Sequence, residues 1–118
     1  MKTYHDLVDE AKQKITEISV DDVRGMRERG ENVIIIDCRE QKEWNLGRIP
    51  GSVFLPRGEL EKLIEGHATR DDRIVLYCST GSRSALAALT LGEMGFANAA
   101  SMAGGWRDWV AAGGDVEG

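Results

Sequence analysis

Two short apolar runs constrain this chain more than any other feature: Val33-Ile34-Ile35-Ile36, ending in Asp37, and Ile74-Val75-Leu76, set between Arg73 and Tyr77. A strand with one wet face alternates apolar and polar residues, whereas a run without alternation is buried on both faces. Such strands belong to parallel sheets, which need long crossover connections with helices packed on either side. The neighbouring segments supply those helices. Tyr4, Leu7, Val8, Ala11 and Ile15 recur at helical spacing, and Thr3 with Asp6 forms a capping box, so a helix is predicted over 3–14 and a strand from Ile15 to Ser19. Ser19 and Asp22 repeat that box ahead of Val23 and Met26, which predicts a second helix ending near Gly30. Pro50-Gly51 marks a turn into a short strand over 52–55, and Leu60, Leu63 and Ile64 give one apolar helical face. An alanine- and leucine-rich helix stopped by Gly95, a short strand from Asn98 to Met102, a Gly104-Gly105 turn and a last helix from Trp106 to Ala111 complete the pattern. The expected fold class is α/β, with a central, mostly parallel sheet and helices on both faces.

The 118 residues fit one domain and contain no repeat, low-complexity stretch or interdomain linker. We expect an amphipathic helical extension over 1–14, the domain itself over 15–112 and a flexible tail over 113–118. The helix at 1–14 is expected to pack on its own domain. Formal net charge is −5 with no basic run, which argues against nucleic-acid and anionic-membrane partners. Residues 1–6 open onto a polar segment and the longest aliphatic run spans only Val33–Ile36, so a cytoplasmic protein is expected. Cys38 and Cys78 fit neither a Cys-x-x-Cys pattern nor zinc spacing, so both are expected as reduced thiols, with no metal and no cofactor.

Cys78 follows the second apolar strand and precedes a helix. In an open α/β sheet, ligands bind outside the carboxyl ends of the strands. A lone cysteine at the end of such a strand is ordinarily a core residue. The residues after it, Ser79-Thr80-Gly81-Ser82-Arg83, do not suit core packing, because all are small, polar or charged. Gly81 lets backbone amides turn inward to form an anion-binding nest, and the helix N-terminus adds positive partial charge. Both favour a thiolate, which makes Cys78 the candidate nucleophile. Cys38 has no such glycine turn and is expected to be inert packing.

These residues resemble the rhodanese-like domains. Cys78-Ser79-Thr80-Gly81-Ser82-Arg83-Ser84 is similar to the family's Cys-x-x-Gly-x-Arg-Ser loop. Asp37-Cys38-Arg39 with Glu43-Trp44 resembles its Asp-x-Arg…Glu-aromatic segment, and Gly47-Arg48-Ile49-Pro50-Gly51-Ser52 its Gly-His-Ile-Pro-Gly-Ala turn. Gly95-Phe96 and Gly104-Gly105-Trp106 match later landmarks, so the resemblance runs over about residues 16–112. Arg48, Trp44 and Cys38 depart from the pattern without removing the nucleophile.

The resemblance implies a thiosulfate sulfurtransferase fold and activity. Cys78 would carry a sulfane sulfur as a persulfide, taken from thiosulfate or another small anionic donor and passed to a thiol or cyanide; a protein acceptor is also compatible. Ser79, Thr80, Gly81, Ser82 and Arg83 would bind the persulfide and substrate. Arg83 is expected to hold the anionic donor, the alternative being that it points away and pairs with a surface carboxylate. Asp37 and Arg39 are supporting residues: Asp37 tethers backbone, and Arg39 pairs with Glu43 four residues on. Trp106 and Trp109 are expected in the core, His5 and His67 at the surface. Two other functions stay open. One is a non-catalytic binding or regulatory module of the same fold. The other is a phosphatase or arsenate reductase, disfavoured because only four residues separate Cys78 from Arg83 and the loop offers no proton donor.

Overall fold

Both predicted capping boxes form, and they fix where the first two helices begin. The computed structural model describes residues 1–118. The Asp6 amide donates to Thr3 Oγ1 (3.1 Å) and the Thr3 amide to Asp6 Oδ2 (2.9 Å), opening α1 (Tyr4–Lys14). After β1 (Thr16–Ile18), Ser19 and Asp22 make the same exchange at the start of α2 (Val20–Glu28). The chain continues through β2 (Ile34–Asp37), α3 (Gln41–Leu46) and β3 (Val53–Phe54). It then forms α4 (Leu60–Leu63), with a 3-10 turn on each side, and β4 (Ile74–Tyr77). Last come α5 (Ser82–Glu93), β5 (Ala99–Met102) and α6 (Gly105–Ala111).

The five strands form one sheet in the order β1-β5-β4-β2-β3, every pair parallel. The two apolar runs are neighbours at its centre, with Ile34 to Asp37 in register beside Ile74 to Tyr77. Because side chains alternate along a strand, each run feeds two cores. Ile36, Cys38, Leu76 and Cys78 pack with Leu60, Ile64, Ala87 and Leu91 beneath α4 and α5. Ile35, Val75 and Tyr77 pack with Val23, Met26 and Trp109 beneath α2 and α6. Burying one large aliphatic side chain contributes about 1.5–3 kcal/mol, so this two-sided burial is the main force holding the central strands. The expected α/β architecture is present, and its sheet is wholly parallel. No helix is long and apolar enough to cross a membrane.

Several local expectations change. Each strand starts one residue later than predicted, and β1 and β3 also end one residue earlier. Helix α3 has no counterpart in the sequence reading, because none of its residues is fully buried and it shows no apolar face. The Glu40 amide, which donates to Glu43 Oε1 (2.9 Å), anchors its first turn. Leu63 points outward while Leu60 and Ile64 enter the core. Trp109 is buried, but Trp106 is only partly covered. Helix α1 lies on α5, with Val8 and Ala11 inward. The tail does not run free of the fold: Arg48 and Glu117 exchange backbone hydrogen bonds of 3.0 and 2.9 Å, and Trp109 Nε1 donates to the Asp115 carbonyl.

Candidate active site

β2 and β4 end side by side, and each delivers a cysteine one position beyond the paired residues Asp37 and Tyr77. After Cys78 the backbone turns sharply. Gly81 takes φ +104°, in the region that glycine alone enters freely, and serves as the N-cap of α5. The turn folds the first amides of the helix back over the sulfur. The Gly81 amide donates to Cys78 Sγ at 3.2 Å and the Ser84 amide at 3.4 Å, with Ser84 Oγ 3.5 Å away. Ser84 Oγ in turn lies 2.8 Å from Ser101 Oγ on β5.

A second contact holds the loop from outside. The amides of Trp106 and Arg107, at the start of α6, donate to the carbonyls of Cys78 (2.8 Å) and Ser79 (3.0 Å). A trans peptide points its N–H opposite to its C=O, so the amides of Ser79 and Thr80 face away from α6. This close approach depends on Gly105. Its φ is +54°, and a Cβ there would run into the Cys78 carbonyl and lie 2.8 Å from that of Ser79.

Electrostatics separate the two thiols. Burial alone would push the Cys78 thiol up, but the Ser84 hydroxyl and the amides of Ser84, Gly81 and Thr80 outweigh it and bring it below its usual range. Cys38 is pushed well up by burial, with the neighbouring Cys78 and Asp37 adding to the effect. Its thiol donates to the Tyr77 carbonyl at 3.4 Å. The surroundings favour the thiolate at Cys78 and the thiol at Cys38.

The charged residues pair differently from the sequence expectation. Arg39 does not meet Glu43. It is buried against Asp37, with Nε at 3.0 Å from Oδ1 and Nη2 at 2.7 Å from Oδ2, and it donates to the Gly47 carbonyl at 2.7 Å. Its guanidinium lies over the rings of Trp106 (4.7 Å) and Tyr77 (5.5 Å). Asp37 also accepts from the Arg39 amide (2.9 Å), a backbone tether of the kind expected of it. Glu43 is taken by Arg83, whose two terminal nitrogens reach its carboxylate at 2.8 and 3.1 Å. Arg83 is thus paired with a carboxylate at the edge of the loop, the alternative stated above. Arg48 lies over Trp44, which stacks on Phe54.

A family model described as Rhodanese-like domain matches residues 19–112. The chain belongs to that family. Among its relatives, the thiosulfate sulfurtransferase GlpE of Pseudoalteromonas translucida is 35% identical, covering 70% of this chain and 77% of GlpE. YrkF of Bacillus subtilis is also 35% identical, over 81% of this chain, but the chain spans only 51% of YrkF. Among solved structures, a Rhodopseudomonas palustris protein described as of unknown function, possible tyrosine phosphatase, superimposes with a TM-score of 0.91. It is 35% identical and covers 99% of this chain and 96% of its own.

Within this rhodanese-like site, Cys78 and Gly81 meet directly. Ser79, Thr80 and Ser82 stand on the loop with hydroxyls that make no hydrogen bond within the protein, and Thr80 is exposed. Ser84, Ser101 and Gly105 are absent from the sequence-derived set. Ser84 was legible as the third residue of a helix, whose amide is always left free. Ser101 had a weaker signal, a lone hydroxyl in an otherwise apolar strand.

Proposed function

We propose that this rhodanese-like domain is a sulfurtransferase that moves a sulfane sulfur through a persulfide on Cys78. The observation that carries it is the sulfur's surroundings: a buried Cys78 Sγ that accepts from the Gly81 and Ser84 amides, with a hydroxyl alongside. Such preorganised donors stabilise negative charge on sulfur before and after it reacts. The Cys78 thiolate attacks the outer sulfur of thiosulfate. A new S–S bond forms, the sulfur–sulfur bond of thiosulfate breaks, and sulfite leaves with the electron pair. Sulfite is a stable anion, so the step needs no general acid, and no carboxylate or histidine hydrogen-bonds Cys78. An acceptor thiolate or cyanide then attacks the outer sulfur and releases the Cys78 thiolate. The hydroxyls of Ser79, Thr80 and Ser82 and the loop amides bind the terminal sulfur. The name of GlpE, thiosulfate sulfurtransferase, supports this chemistry.

The description of the Rhodopseudomonas palustris relative raises phosphate-ester hydrolysis instead. That reaction calls for an arginine over the nucleophile and an acid for the leaving alkoxide. Here Arg83 is bound to Glu43 and the loop carries no acid, which weighs against it.

Intact-mass measurement tests the proposal. Incubation with thiosulfate should add one sulfur atom, removed again by glutathione or cyanide. Cys78→Ser should take up none, and Cys38→Ser should behave as the parent. Sulfur loading on the Cys78→Ser protein, or none on the parent, would refute it.

A further inference from the structure

Ser101 sits on β5 beside Leu76, two residues before the nucleophile, and its side chain is wholly buried. A buried hydroxyl in an apolar strand carries a desolvation cost unless it is hydrogen-bonded. Its only partner is Ser84 Oγ, at 2.8 Å, and Ser84 Oγ is the one hydroxyl within reach of Cys78 Sγ, at 3.5 Å. Each serine hydroxyl has one proton to give. When Cys78 is a thiolate it only accepts, so the Ser84 proton is directed at the sulfur. The remaining donor in the chain is Ser101, which must then give its proton to Ser84 Oγ. When Cys78 is a thiol, the S–H proton can point at Ser84 and both hydroxyls turn the other way.

We propose that Ser101 is a positioning residue that acts on Cys78 through Ser84, aligning the Ser84 hydroxyl toward the sulfur and strengthening it as a donor to the thiolate. In a buried chain of hydrogen bonds each donation polarises the next, so Ser101 raises the effect of Ser84 without touching sulfur or substrate. The Ser84 hydroxyl is the largest of the interactions that lower the Cys78 thiol, which makes it the sensitive point for such an effect. This role rests on Cys78 being the working thiolate and extends the site to a strand outside the cysteine loop.

The test reads thiol ionisation directly and does not depend on sulfur transfer. Thiolate absorbance near 240 nm and iodoacetamide rates are followed against pH in the Cys38→Ser background, leaving Cys78 as the sole thiol. Ser101→Ala should raise the ionisation midpoint by about half a pH unit, and Ser84→Ala by about one. The Ser84→Ala/Ser101→Ala double variant should match Ser84→Ala alone, because without Ser84 the influence of Ser101 has no path. Ser101→Thr keeps the hydroxyl while altering the packing and should keep the parental midpoint. An unmoved midpoint in Ser101→Ala would overturn the inference. So would a further shift in the double variant, or an equal shift in Ser101→Thr. Failure of thiosulfate loading with these shifts intact would strike the proposed function and leave Ser101 in place.

Discussion

Glu43 and Arg83, forty residues apart, grip each other through two hydrogen bonds at the edge of the Cys78 loop. The pair joins α3 to the first turn of α5 and neutralises the positive charge closest in sequence to Cys78. The Arg83 hydrogen bonds hold the Glu43 carboxyl below the usual carboxylate range. A carboxyl lowered by folding stabilises the fold above its unfolded pKa, and that contribution is lost as the pH falls through the lowered value.

If the donor is an anion, this neutralisation governs its binding. Glu43→Gln should lower KM for thiosulfate about two- to fivefold with kcat unchanged, and the gain should fade in high salt. Arg83→Ala should raise KM, by about three- to tenfold, because it leaves Glu43 uncompensated beside the donor. Steady-state kinetics at two salt concentrations checks both, and KM values insensitive to either change would show that the pair is only a brace.

The two thiols should separate cleanly by reactivity. Cys78 should alkylate at neutral pH, with a midpoint below that of an ordinary thiol, since its thiolate is favoured. Cys38, buried and pushed up, should stay unmodified until the protein unfolds. Peptide mapping after limited iodoacetamide treatment reads this out, and early labelling of Cys38 would contradict it.

Gly105 lets α6 approach the carbonyls of the loop. Gly105→Ala combines a positive φ with a clash against backbone, and should destabilise the protein by about 2–4 kcal/mol in urea unfolding. Sulfur loading should fall more than stability alone explains, because the displaced carbonyls reorient the amides around Cys78. A variant of parental stability and activity would mean that α6 shifts freely.

The buried Asp37–Arg39 pair fixes the turn at Gly47 and the contact with Trp106. Asp37→Asn should cost about 3–5 kcal/mol, because it leaves the Arg39 cation buried without its counter-charge. Adding Arg39→Met should restore part of that loss by removing the stranded charge. Chemical denaturation of the single and double variants measures the difference, and a double variant weaker than the single would reverse the interpretation.

Local chemistry made much of this molecule legible in advance. The unbroken runs at 33–36 and 74–76 fixed two central strands, because only two-sided burial tolerates them. Thr3–Asp6 and Ser19–Asp22 fixed two helix starts, because a capping box closes within four residues. Gly81 between Cys78 and Ser84 foretold the turn that aims amides at the sulfur, since that too is settled within one helical turn. Charge pairing was decided by the tertiary structure. Arg39 and Glu43 have helical spacing, but α3 begins only at Gln41, so Arg39 lies in a bend ahead of the helix and turns back to Asp37. That left Glu43 for Arg83, which strand order brings from the far half of the chain. Ser84 and Ser101 likewise meet because β5 inserts beside β4, and Gly105 matters because α6 returns to the loop. Caps and turns depend on neighbours in sequence, whereas the partner of a charge or hydroxyl depends on which strand lies beside which, and that order is set by packing of the whole domain.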